Sequence, residues 1–339
     1  AGTYSEGQAN DSCVDAEKGY FVPSAGLSDQ LVCPLGTYTD TVRAMVCKTA
    51  EPGHHAPVVG WAPEDGDFAT FAGPGAIEQL ECPPGRYSIG GVEECDVAVP
   101  GEKVVGTGKL FPELCGPGTF SSSNESSVCE TAQPGHFAAG FGSTEQTACP
   151  AGTFSSGTSN SSCTTASAGR YATKASFADD PTLEANFDGT GADIDKPCPA
   201  GTYSTGGATY CIEAPAGSYV DVSGASAPTE CEPGTFQASA GQTGCDPAPA
   251  GSYVELAGQT EATQCAWGTY QPEQGKSSCI TAEPGWFVDS TGSTSRVECA
   301  EGRYSLGGAT DCIEADAGYY VPTTGLSYQL ACAEGTFSA

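Results

Sequence analysis

Cysteine spacing is the feature that most constrains this chain: 18 cysteines recur through 339 residues in steps that alternate mostly between 20 and 14. Two steps stretch to 35, from Cys47 to Cys82 and from Cys163 to Cys198, and three shrink to 13, ending at Cys95, Cys211 and Cys312. These departures are periodic as well, because Cys33, Cys149 and Cys265 lie 116 residues apart and head equivalent series. A repeat therefore sits within a larger repeat, and internal similarity overrides length as a guide to domain number. The expected divisions are super-repeats over 1–117, 118–233 and 234–334, with 335–339 beginning a further one. The first two carry a 15-residue insertion, at about 58–75 and 174–191, that the third lacks.

A finer period runs beneath the cysteines. Gly-x-aromatic steps such as Gly36-Thr37-Tyr38, Gly118-Thr119-Phe120 and Gly217-Ser218-Tyr219 recur every 16 or 17 residues outside the insertions. Of 19 such positions from Tyr4 to Phe337, only His55 and Lys103 are neither Tyr nor Phe. With 46 Gly and 24 Pro in the chain, helix is disfavoured throughout. Each half-module of about 17 residues is expected to form a short β-hairpin. Glycine supplies the turn conformation other residues resist, and the aromatic provides the core by packing on the next hairpin. The fold class is a small disulfide-rich all-β array, an elongated solenoid-like rod of stacked hairpins with 34-residue modules and a 116-residue super-repeat.

Cysteine counting alone leaves the bridges undetermined, but the half-repeat discriminates between closing the 14-residue step and closing the 20-residue step. In alternate half-modules Ala fills the slot that Cys149 occupies, as at Ala132, Ala214, Ala282 and Ala315. Fourteen residues beyond each of these the second cysteine is absent too, at Gln146, Pro228, Arg296 and Gln329. Joint loss is what the shorter step predicts. The expected pairs are Cys33 with Cys47, Cys82 with Cys95, Cys115 with Cys129, Cys149 with Cys163, Cys198 with Cys211, Cys231 with Cys245, Cys265 with Cys279, and Cys299 with Cys312. Cys13 and Cys332 are then expected to find partners in further repeats beyond each end of the sequence. A loop of this size contributes about 3 kcal/mol in the chain-entropy account, in modules below the size of about 40 residues at which domains fold unaided. Bridges replace core, and they require an oxidising compartment, so the expected location is extracellular or cell-surface.

Composition excludes other classes. Forty-two acidic against 12 basic residues give a net charge of −30, which repels nucleic acid and anionic membrane surfaces. No apolar run is long enough for membrane insertion in this segment. No hydrolase elbow, zinc-protease helix or phosphate loop occurs, so no catalytic residue and no enzyme is expected. No Cys-x2-Cys pair occurs and His54, His55 and His136 do not accompany cysteine clusters in sequence, so no metal or other cofactor is expected from the thiols.

Three of the four asparagines, Asn10, Asn124 and Asn160, stand in Asn-x-Ser sequons just before a second cysteine, and N-linked glycans are expected on all three. The two insertions are one loop present twice: Trp61 and Phe71 lie 116 residues before Phe177 and Phe187. These aromatics either fold back on the rod or anchor a neighbouring chain. Calcium is the weak third option, from Glu64, Asp65 and Asp67 and from Asp188, Asp193 and Asp195, since neither group follows the 12-residue calcium-loop pattern.

The module read as Cys-Pro-x-Gly-x-Tyr, then a run to the next Cys, as in 149–163, 198–211 and 299–312, resembles the cysteine-rich repeats of ephrin-receptor-like and tumour-necrosis-factor-receptor-like ectodomains. Those modules usually hold a further cysteine where this chain has Ala50, Ala132, Ala166, Ala214, Ala248 and Ala282. The resemblance implies an extracellular rod without catalytic residues. Two functions fit it: a structural subunit of an extracellular filament, flagellar hair or cell-surface fibre, partnered by copies of itself or neighbouring repeats, and the ectodomain of a receptor or adhesin binding a protein ligand. Gly2-Thr3-Tyr4-Ser5 and Gly335-Thr336-Phe337-Ser338 stand in the same register, which favours the first.

Overall fold

A computed structural model describes residues 1–7, 12–58, 75–177 and 187–336. The chain divides into two compact units, Ala1–Cys149 with Ser155–Thr164, and Pro150–Phe154 with Thr165–Ala339. The described residues contain no α-helix; one turn of 3-10 helix spans Ala175–Phe177, and every sheet has two strands. The fold is a series of small disulfide-rich β-hairpin modules.

The hairpins are alike because the same residues recur at the same places. In the first unit Thr37–Tyr38 pairs antiparallel with Lys48–Thr49, and Thr119–Phe120 with Glu130–Thr131. In the second, Ser218–Tyr219 pairs with Thr229–Glu230, and Trp286–Phe287 with Val297–Glu298. Strands this short are marginal in isolation, so most of the order comes from neighbouring hairpins. The second insertion lengthens its hairpin: Arg170–Thr173 pairs with Ile194–Pro197 over four residues on each side.

Successive hairpins are joined by backbone. The Gly101 N–H donates to the Ser121 carbonyl (2.8 Å), the Ser121 N–H to the Ser143 carbonyl (3.1 Å), and the Gly142 N–H to the Cys115 carbonyl (2.8 Å). The same three bonds recur in the second unit as Gly234 to Val254 (2.8 Å), Val254 to Lys276 (3.0 Å) and Gly275 to Ala248 (2.8 Å). Backbone groups buried between hairpins are thereby satisfied without a wide sheet.

The core departs from expectation. The aromatic of the Gly-x-aromatic step is half-buried at most positions, as at Phe21, Tyr38, Phe137 and Tyr253. The residue after it is buried instead: Val22, Thr39, Ala56, Ser88, Val104, Ala138, Val220 and Val288 are all at most 2% exposed. The Cys or Ala slot is equally buried, with Ala16, Cys82, Ala132, Cys149 and Ala214 at 0%. Two-residue strands bring consecutive hairpins into backbone contact, which leaves interior space for side chains of Ala, Ser, Cys and Val size. Most rings lie along the flank of that interior, while Tyr4, Phe120 and Tyr171, at 6%, 8% and 8% exposure, are buried. At three of the inner Ser positions the hydroxyl is satisfied by the previous hairpin: Ser155 Oγ donates to the His136 carbonyl (3.2 Å), Ser204 Oγ to the Arg170 carbonyl (2.7 Å) and Ser305 Oγ to the Trp286 carbonyl (2.8 Å).

Candidate functional site

The recurring surface of this protein is the contact between one hairpin and the next, and glycine makes it possible. Gly101 has φ 89° and Gly251 has φ 82°. A Cβ on Gly101 would lie 2.4 Å from the Gly142 carbonyl oxygen, and one on Gly251 would lie 2.1 Å from that of Gly292. Only glycine meets both the backbone angle and the contact. Arg43, Glu125 and Ser159, at φ 64°, 59° and 61°, stand at hairpin tips where most repeats have Gly.

The structure joins Cys33 to Cys47, Cys82 to Cys95, Cys115 to Cys129, Cys149 to Cys163, Cys198 to Cys211, Cys231 to Cys245, Cys265 to Cys279 and Cys299 to Cys312. Cys13 and Cys332 are bridged to no other cysteine among the described residues. The first cysteine of each bridge lies in the interior slot, while most second cysteines are half-exposed. Bridged and Ala-filled slots alternate along the sequence.

Asn124 is exposed at a hairpin tip beside Glu125. Asn160 is half-buried, and its Nδ2 donates to the Gly157 carbonyl at 2.6 Å. Asn10 lies outside the described residues, as do Trp61, Phe71, Glu64, Asp65 and Asp67. Phe177 and Phe187 are brought together edge to face, with ring centroids 5.6 Å apart, and Lys174 Nζ lies 5.6 Å and 5.3 Å from the two centroids. The acidic residues of this loop are engaged separately. Asp188 Oδ1 accepts from the Thr190 N–H and hydroxyl, both at 2.9 Å, and these bonds hold its carboxyl below the usual range. Asp193 Oδ1 accepts from the Ala175 N–H (2.6 Å), and Asp195 Oδ2 pairs with Arg170 Nε (2.7 Å).

One constellation was invisible in sequence spacing. His55 stands 27 and 40 residues before Cys82 and Cys95, yet its Nδ1 lies 3.2 Å from Cys95 Sγ and 3.1 Å from the Leu80 carbonyl oxygen. The hairpin pairing of His55 with Leu80 carries it there. A cleft of about 470 Å³ lined by His55, Arg86, Glu93, Glu94 and Cys95 opens beside it. Burial, then the neighbouring Glu94, pushes the Glu93 carboxyl up from its ordinary range.

Residues 251–299 match the family model described as tyrosine-protein kinase ephrin type A/B receptor-like. No curated protein matches the chain. The matched stretch is similar to a cysteine-rich, ephrin-receptor-like repeat, and it contains the Cys265–Cys279 bridge, one of the bridges that recur along the chain. Together the match and the bridges point to an extracellular, disulfide-stabilised domain. No helix among the described residues is long and apolar enough to cross a membrane.

Proposed function

We propose that this chain is a structural, glycosylated repeat protein of the extracellular space, which forms or decorates a filament, flagellar hair or cell-surface fibre by end-to-end association of its copies. The observation that carries the reading is the sameness of the hairpin-to-hairpin contact. Because that contact is made by backbone groups and glycine, it asks nothing specific of the next repeat beyond the same Gly pattern. A repeat from another copy meets that demand as well as one from the same chain.

Sedimentation and negative-stain imaging of the glycosylated protein over a hundredfold concentration range test the reading. Linear assemblies that lengthen with concentration support it. Monomers at every concentration exclude it for this chain. The match to an ephrin-receptor-like family favours a second reading, the ectodomain of a receptor or adhesin. Isolated monomers that retain a soluble protein partner support that one.

A further inference from the structure

We propose that Cys82, Cys95 and His55 form a redox-gated site for a borderline divalent cation such as Zn(II), closed while the bridge is oxidised and metal-binding once a dithiol has reduced it. The three potential ligand atoms, His55 Nδ1 and the two sulfurs, lie within 4.8 Å of one another, and this is the one such group among the described residues. Thiolate and imidazole are the donors Zn(II) prefers, and three protein ligands leave a fourth position for water.

The rest of the chain supplies the contrast. Positions 55, 171 and 287 are equivalent, 116 residues apart, and carry His, Tyr and Phe. Each precedes a bridge with the short 13-residue spacing: Cys82–Cys95, Cys198–Cys211 and Cys299–Cys312. The ring position accepts an aromatic in two copies, buried at Tyr171 and half-buried at Phe287, so packing does not demand the imidazole. What the imidazole adds is a nitrogen beside sulfur, at the wall of a cleft that Cys95 also lines.

The chemistry balances. A dithiol gives two electrons and two protons to the Cys82–Cys95 bond and leaves as its own disulfide, and the protein gains two thiols. On binding Zn(II) both thiols lose their protons to solvent. His55 shifts its ring proton from Nδ1, where the Leu80 carbonyl accepts it, to Nε2, and offers the Nδ1 lone pair to the metal. The cation then replaces the lost covalent link within the same hairpin pair.

The test is graded reduction of the oxidised protein with a phosphine, followed by alkylation with and without Zn(II), each cysteine being followed by mass spectrometry. The expected result is that Zn(II) slows alkylation of Cys82 and Cys95 at least tenfold and leaves Cys198, Cys211, Cys299 and Cys312 unaffected. His55→Phe, whose ring the repeat at Phe287 already accommodates, should abolish the protection, and Tyr171→His should confer it on Cys198 and Cys211. Equal protection at all three pairs, no protection, or protection that survives His55→Phe would overturn the proposal. Release of Cys82 and Cys95 only together with every other cysteine would do the same.

Discussion

The carbonyl oxygen of Ser159 lies 2.0 Å from where a Cβ on Gly118 would have to sit. Gly118 holds φ 84° and its N–H donates to the Ala138 carbonyl at 2.8 Å, so angle, hydrogen bond and close approach meet at one residue. Gly118→Ala is expected to lower stability by about 2–4 kcal/mol, combining left-handed strain with displacement of a backbone neighbour. Gly116→Ala, two residues away with nothing within 4 Å of the added carbon, should be close to neutral. Urea unfolding of the two variants measures the difference, and equal effects would refute the contact.

Cys149 and Cys163 offer a cleaner test of the bridges than any single substitution. Ala132 and Ala214 fill the equivalent slot with 0% exposure, as Cys149 does, so alanine fits there without a cavity the fold has not already tolerated. Replacing both cysteines by Ala should cost about 3 kcal/mol, the chain-entropy value for a loop of this length. Denaturation of the double variant measures the cost, and disulfide mapping should find every other bridge unchanged. Linkage of Cys149 to Cys129 in the parent protein would contradict the pairing.

The hairpin series was legible in the sequence because its two determinants are residue types with few other reasons to recur: glycine at positive φ, and cysteine. The interior was not. Thr39, Ser88, Ser155 and Ser305 are at most 4% exposed yet polar, and Val22 or Val254 occupies the same position elsewhere. A hydropathy reading sees no pattern in such a mixture and assigns the core to the rings beside it. That position takes Val, Ser, Thr and Gln alike, and its polar groups find carbonyl partners close by, as Ser155 Oγ does at His136 and Gln237 Nε2 at Gly244. The neighbourhood of His55 was hidden for a different reason. Its approach to Cys95 depends on pairing across the first insertion, between His55 and Leu80, and one-dimensional spacing carries no trace of it.

Asp188 makes the second insertion sensitive to acid. The Thr190 N–H and hydroxyl stabilise its ionised form in the fold, so its proton affinity is lower in the folded turn than in the unfolded chain. The turn's contribution is therefore complete above the ordinary carboxylate range and fades as pH falls through that range and below it. Hydrogen exchange at the Thr190 amide should quicken over that fall once corrected for its intrinsic pH dependence, and Asp188→Asn should remove most of the change. An amide whose protection is unaltered down to pH 2, or altered equally in the variant, would contradict the role of the carboxylate.

Asn124 and Asn160 should behave differently when replaced, although the same modification is proposed for both. Each substitution by Gln is expected to remove the mass of one N-linked glycan from protein secreted by a eukaryotic host. Asn124 is exposed and its loss should leave stability unchanged. Asn160 also ties its tip through the Nδ2 bond to Gly157, and its carbonyl accepts from the Ala138 N–H at 3.0 Å. Only the side-chain bond is lost on substitution, at a cost of about 0.5–1.5 kcal/mol. Intact mass together with thermal unfolding separates the two effects. Identical mass before and after glycosidase treatment of the parent protein would remove the glycans from the account, while a stability loss confined to Asn160→Gln would still stand as evidence for the tip geometry.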